Sequence, residues 1–143
     1  MDLNPRYILG RLREIEREID YLEVALGAPD KEILSSPDRL RGIKYSVLLI
    51  TEAIGAVLQH ILARKHHLAV TSLAEAMVKA GEKGVIDQNL AQSFEALARF
   101  RNRLVHRYWT VDDRVFLENL RRGLHEFRDF VSLMEREVQK ARG

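Results

Sequence analysis

Apolar residues recur at alternating steps of three and four along most of the chain, the spacing that places them on one face of an α-helix. The first series begins after Asn4-Pro5, a typical helix start, and ends before Gly27-Ala28-Pro29. Its apolar positions are Ile8, Leu12, Ile15, Ile19, Leu22 and Leu26. The spacing predicts a long amphipathic helix packed in a bundle, and residues 30–34 are predicted to form a short helical turn.

The second series begins at Ser36-Pro37 and is apolar around most of its circumference. Its main seam consists of Leu40, Ile43, Val47, Ile50, Ile54, Val57 and Ile61. A helix that is apolar on all sides is covered on all sides, so this helix is either central or shared between a core and a subunit interface. Gly55 and Ala56 would allow a neighbouring helix to approach closely.

Three further helices are predicted in the rest of the chain. A short one covers about residues 72–80, and Asp87 is the predicted cap of a long helix that ends at Trp109-Thr110. The segment 110–113 resembles a capping box for the last helix. No alternating strand pattern occurs in the sequence. The fold class is therefore predicted to be all-α, an antiparallel bundle of four long helices and one short helix that forms a single domain over residues 1–143.

Composition excludes several classes of protein but identifies none. The chain has 143 residues, a net charge of +2 and no cysteine, so it contains no disulfides or thiolate metal sites. Its N-terminus lacks an apolar signal core, and the most apolar run, residues 47–58, contains Thr51 and Glu52 and is too short to span a bilayer. We therefore expect a cytoplasmic protein with no membrane partner.

The most unusual segment is the basic stretch, residues 99–110. It contains the arginines Arg99, Arg101, Arg103 and Arg107 together with His106 and the only tryptophan, Trp109. The nearest carboxylates are Glu95 and Asp112. Leu90, Phe94, Leu97 and Leu104 form an apolar stripe in which Arg101 takes the place of an apolar residue. A guanidinium aimed at a core is costly unless it is paired or lines a cavity, which indicates a functional position.

The spacing of Arg101 and His106 restricts how they could act together. Five residues apart, they lie about 140° apart around a regular helix, whereas Asn102 and His106 share one face. A joint site requires that the helix end near His106, or that a cleft surround its last turn. From spacing alone, a basic helix end with a solvated histidine is the favoured alternative.

Glu52 is the only carboxylate between Asp38 and Glu75 and belongs to the most apolar helix. It either faces water at the edge of that helix or pairs with Arg101, which would relieve both charges and position the guanidinium. His60, His66 and His67 do not suggest a metal site, because His60 and His67 lie about 10 Å apart along a helix. We interpret these histidines as surface residues and predict no metal or cofactor.

Residues 101–108, Arg-Asn-Arg-Leu-Val-His-Arg-Tyr, resemble the R-x4-H-x-Y signature of the HEPN superfamily. The fuller string, on the penultimate helix of a chain of this size, is most similar to the HepT branch of small all-helical toxins. The order of elements, the position of Glu52 and the turn at Val85-Ile86 extend the resemblance over nearly the whole chain.

The resemblance implies a metal-independent endoribonuclease with Arg101 and His106 in its active site. Members of this branch are typically homodimers whose motifs meet at the interface. They are neutralised by a minimal nucleotidyltransferase antitoxin of the MntA type, which can adenylylate the motif tyrosine, here Tyr108. Alternatively, Tyr108 and Trp109 only pack over the end of the bundle.

Cleavage of RNA by its own 2′-hydroxyl needs a base, an acid and positive charge on the phosphorane. We assign proton transfer to His106, phosphate charge to Arg101, and the orientation of His106 or the phosphate to Asn102. Arg99, Arg103 and Arg107 either steer RNA or are solvated helix charges. A two-fold dimer would bring two copies of the pair to one cleft. The alternative function is a non-catalytic helical subunit that binds substrate for a nucleotidyltransferase.

Overall fold

Six α-helices and one 3₁₀ turn make up the protein, whose computed structural model describes residues 2–143. The helices are α1 (Pro5–Ala25), α2 (Asp30–Leu34), α3 (Pro37–His66), α4 (Leu73–Glu82), α5 (Gln88–His106) and α6 (Asp113–Arg142), and the turn is Tyr108–Thr110. No strand occurs within residues 2–143. The predicted all-α fold of four long helices is confirmed, with α4 as the short helix and α2 as the helical turn.

Side-chain caps set the helix starts. The Asn4 side chain accepts a hydrogen bond from the Tyr7 backbone N–H (3.1 Å), and Asp87 accepts one from the backbone N–H of Leu90 (2.8 Å). The predicted capping box at residues 110–113 is wrong in its first residue. Asp112, not Thr110, caps α6, because Thr110 still belongs to the 3₁₀ turn.

The apolar helix α3 is central within a single chain. It packs against α1, α2, α4 and α5, and its apolar seam is buried. At Gly55 the side chain of Leu73, the first residue of α4, lies where a β-carbon would be, so the predicted close approach at this glycine is confirmed. One chain therefore covers most of the circumference of α3, and its apolarity gives no separate reason to expect a second subunit.

The apolar segment that we judged too short to span a bilayer belongs to a longer helix, α3. Considered as a whole, its 30 residues are long and apolar enough to cross a bilayer, with a mean hydropathy of 1.7 in the most apolar 18-residue window. However, 61% of that window is buried inside the protein, and the core helix of a water-soluble protein has the same composition.

His60, which we interpreted as a surface residue, is half-buried and helps to fix the start of α1. Its Nε2 accepts a hydrogen bond from the backbone N–H of Asn4 (3.0 Å), and its ring stacks on Tyr7 with centroids 5.0 Å apart. Burial, and secondarily the charge of Arg64, lowers the pKa of His60. The imidazole is therefore neutral in its accepting role.

This contact makes the stability of the fold depend on pH. Because the pKa of His60 is lower when folded than when unfolded, its contribution is fully present above the unfolded value of about 6.5 and is lost as pH falls through the folded value. Between about pH 7.5 and pH 5.5, the Tm of the wild type should fall further than that of His60→Gln, which accepts a hydrogen bond without titrating. Equal decreases in Tm would contradict this role.

Candidate active site

Arg101 lies on the core-facing side of α5, in line with the buried residues Phe94 and Ala98. Its guanidinium reaches α3, where Nε donates to Glu52 Oε1 at 2.8 Å and Nη2 forms an ion-pair contact with the same oxygen at 2.6 Å. The Arg101 side chain is 27% exposed and that of Glu52 is 43% exposed. Of the two predicted alternatives for Glu52, pairing with Arg101 is the one observed.

This ion pair resolves the anomaly of an arginine in an apolar stripe. The hydrogen bond and the ion-pair contact with one carboxylate offset the cost of bringing the guanidinium towards the core, and they hold it in one orientation. The third nitrogen, Nη1, lies 3.3 Å from Asn102 Oδ1. Arg101 is thus held by Glu52 of α3, which lies 49 positions earlier in the chain, and by its own neighbour Asn102.

His106 lies on a different face of α5 from Arg101, because α5 continues as a regular helix to His106 and ends there. Arg101 and Glu52 line a polar cavity of about 670 Å³ between α1, α3 and α5. His106 lines a separate surface cavity, also of about 670 Å³, which we call the basic cavity; its other residues are Arg99, Asn102, Arg103 and Arg107. Asn102 lines both cavities. A single chain therefore does not bring Arg101 and His106 together.

The arginines of the basic cavity have different surroundings. Arg99 forms an exposed ion pair with Glu95, with nitrogen and oxygen 2.6 Å apart, and the guanidinium of Arg103 lies 5.9 Å from the ring centre of Phe100. Arg103 and His106 belong to the last turn of α5, where the helix dipole favours cations. This end of the molecule is a concentrated positive surface, as the sequence predicted.

Helix α1 also contributes to the polar cavity, which no sequence pattern indicates. Tyr7 and Arg11 line it together with Arg101, and Thr71 and Ser72 close another side. Hydrogen bonding to the Tyr7 side chain and to Glu14 raises the pKa of Arg11, so the Arg11 guanidinium remains positively charged. No local pattern could have identified these residues, because only the packing of α1 against α3 brings them to the cavity.

Tyr108 and Trp109 follow directly after α5 and are 68% and 69% exposed. Their rings meet edge to face, with centroids 5.5 Å apart and an interplanar angle of 79°. The alternative in which these aromatics only pack over the bundle end is therefore wrong. Both rings are accessible beside the basic cavity.

Comparison with known proteins identifies the family of this chain. The model of the family described as Ribonuclease HepT-like matches residues 15–134. The chain belongs to the HepT-like family. A curated relative, the tRNA nuclease HepT of Aphanizomenon flos-aquae (strain 2012/KM1/D3), is 28% identical over 117 residues, which cover 81% of this chain and 80% of the relative.

Solved structures show that the fold is shared. The tri-AMPylated HEPN toxin of Shewanella oneidensis, solved in complex with an MNT antitoxin, matches with a TM-score of 0.84 and 16% identity over 90% of this chain and 96% of its own. A toxin–antitoxin structure with AMP-PNP matches with a TM-score of 0.84 and 15% identity, covering 91% of this chain and 98% of the other.

The charged side chains of the candidate site in this HepT-like chain are mainly arginines, with one histidine. Among residues 2–143, no group of three or more His, Asp or Glu side chains is arranged to hold a metal ion. The Glu52 carboxylate is paired with Arg101, and His106 shares the basic cavity with three arginines. The side chains present can supply positive charge, hydrogen bonds and one imidazole for proton transfer.

Proposed function

We propose that this HepT-like chain is the toxin of a toxin–antitoxin pair and acts as a metal-independent endoribonuclease. The observation that supports this most is the Arg101–Glu52 pair, held beside Asn102 at the end of a helix that presents His106 in a basic cavity. The name of the curated relative, a tRNA nuclease, supports RNA as the substrate. Cytoplasmic localisation and a single domain over residues 1–143 are part of the same proposal.

The proposed reaction is attack by the 2′-hydroxyl of RNA on the adjacent phosphorus. His106 moves the proton, Arg101 stabilises the charge that develops on the phosphoryl oxygens, and Asn102 orients His106 or the phosphate. Glu52 keeps the guanidinium of Arg101 in place. The new P–O bond forms as the bond to the 5′-oxygen breaks, which leaves a 2′,3′-cyclic phosphate and a 5′-hydroxyl.

We further propose that the active unit is a homodimer. The supporting observation is that Arg101 and His106 line different cavities in one chain, so one chain offers an incomplete site. Two-fold pairing of the α5 ends would place two copies of each residue around one cleft. One histidine could then act as the base and the other as the acid.

The partner that we propose for neutralisation is an MntA-like nucleotidyltransferase, which adenylylates Tyr108. The Shewanella toxin is tri-AMPylated and was solved with an MNT antitoxin. In this chain, Tyr108 is exposed next to the basic cavity, so a modifying enzyme can reach its hydroxyl.

The purified chain should cleave RNA, tRNA included, in the presence of EDTA. We expect products that end in a 2′,3′-cyclic phosphate, and we expect DNA of the same sequence to remain intact because it lacks the 2′-hydroxyl. Gel electrophoresis and mass spectrometry of the product ends provide the readout. Cleavage that stops in EDTA and returns with a divalent cation would refute the metal-free mechanism.

A further inference from the structure

Trp109 is the only tryptophan in the chain, and it is one of the most exposed large apolar side chains, at 69%. Exposure of so large a ring in water gains nothing for folding. The proposed reaction assigns no task to it. An exposed aromatic residue of this kind typically belongs to a binding surface.

The turn that carries Trp109 is held by hydrogen bonds between the residues before it and the residues after it in the chain. The backbone N–H and hydroxyl of Thr110 both donate to the Arg107 carbonyl, at 2.9 and 2.8 Å, and the Val111 N–H donates to the Tyr108 carbonyl at 3.3 Å. Val111 packs against the core, and Tyr108 meets the indole edge to face. The ring is therefore presented by an ordered turn, which reduces the entropy cost of binding a ligand.

The charge around Trp109 indicates what that ligand is. No acidic residue lies between Glu95 and Asp112, and Arg103, His106 and Arg107 of the basic cavity precede the ring directly. A ligand that suits both cations and a flat aromatic face must be anionic and must offer flat faces of its own. Single-stranded nucleic acid has both properties, because its unpaired bases stack on aromatic side chains while its phosphates bind arginine.

We propose that Trp109 stacks on an unpaired base of the RNA beside the phosphodiester that is cleaved, and so selects single-stranded segments of the substrate. This inference rests on the proposed ribonuclease function. In a duplex the bases stack on one another, so their faces are not available to the indole ring. Purines have larger faces than pyrimidines and should bind more tightly.

The single tryptophan provides a direct test. The probes are 2′-O-methyl oligonucleotides of about 12 nucleotides, which cannot be cleaved because the attacking hydroxyl is blocked. Oligo(A) should quench Trp109 fluorescence on binding, oligo(U) should do so more weakly, and a duplex of the same length should bind without quenching. Binding of single strands, detected by anisotropy of a labelled strand, without any quenching would overturn the proposal.

Variants measure the contribution of the ring. Trp109→Ala should weaken binding of oligo(A) by about 5- to 150-fold, whereas Trp109→Phe should retain most of the affinity. Tyr21→Ala, which removes an exposed ring beside Asp20, is the matched control and should bind like the wild type. An unchanged Kd for Trp109→Ala would contradict stacking, and a smaller oligomeric mass in that variant would assign the ring to a subunit contact instead.

Kinetics separate this inference from the function on which it rests. With a single-stranded RNA substrate, Trp109→Ala should raise KM with little change in kcat, because stacking is as strong in the ground state as in the transition state. If the wild type cleaves RNA but Trp109 is not quenched, the stacking proposal fails and the ribonuclease stands. If oligo(A) quenches Trp109 but no RNA is cleaved, the ribonuclease fails and the stacking site stands.

Discussion

His106→Ala should lower the kcat/KM of RNA cleavage by about 100- to 10,000-fold, because it removes the only imidazole in the basic cavity. The exposed position of His106 at the end of α5 means that its removal should leave helicity and Tm nearly unchanged. Cleavage assays, circular dichroism and growth of cells that express the variant provide the readouts. His125→Ala, at an exposed histidine of α6, is the matched control and should keep full activity.

Arg101 tests the phosphate side of the same site. Arg101→Ala should reduce kcat by about 100- to 1,000-fold, the typical cost of removing one charge-stabilising donor. Arg101→Lys keeps the charge but loses the fork that binds Glu52, so it should also be impaired while remaining folded. Arg13→Ala, which removes an exposed arginine paired with Glu16 on α1, should have no effect on cleavage.

The same variants test the proposed dimer and the alternative function. His106→Ala should keep the dimeric mass of the wild type at micromolar concentration, so that lost activity reflects lost chemistry. A monomeric wild-type mass would contradict the composite site. A non-catalytic helical subunit that binds substrate for a nucleotidyltransferase has no need of this residue. Equal toxicity of the wild type and His106→Ala would therefore favour that alternative.

Tyr108→Phe should make the toxin insensitive to its antitoxin. The substitution retains the ring and its edge-to-face contact with Trp109 but removes the oxygen that accepts AMP. When the nucleotidyltransferase is co-expressed, cells that carry Tyr108→Phe should stop growing, whereas cells that carry the wild type should grow. Mass spectrometry should find AMP on the wild-type chain and none on the variant.

The physical reason for this effect is the charge of the adduct. AMP on Tyr108 adds a phosphodiester anion and a bulky nucleotide beside Arg107 and the basic cavity. Attraction between opposite charges at short range persists under physiological screening, so the adduct should occupy the place of the RNA phosphate. Full neutralisation of Tyr108→Phe by the antitoxin would mean that inhibition depends on binding alone.

Much of the fold could be predicted from the sequence because its signals are local. The steps of three and four gave the four long helices, and Asn4, Asp87 and the Pro29 and Pro37 boundaries gave their ends to within a few residues. The cap of α6 was misplaced because Thr110 and Asp112 are both good capping residues. Only the 3₁₀ turn, which holds Thr110 outside the helix, distinguishes them.

In the candidate site too, some features follow from the local sequence and others only from the packing of helices. Residues 101–106 of the motif lie on one helix, so the angular separation of Arg101 and His106 follows from the sequence, and the anomaly of Arg101 pointed to a partner. That Glu52 is this partner depends on the packing of α5 against α3, which brings together residues 49 positions apart. The contributions of Tyr7 and Arg11 likewise come from α1 and could not be predicted, because no periodicity encodes which polar face meets a cavity.

The sequence by itself determined the helices, the basic stretch and the family resemblance, because helix periodicity and charge pattern act over a few neighbouring residues. Tertiary structure alone decided that α3 is covered within one chain, that Arg101 and His106 line different cavities, and that Tyr108 and Trp109 are exposed. Each of these outcomes depends on how whole helices pack, and many pairwise burial energies between residues distant in sequence set that packing.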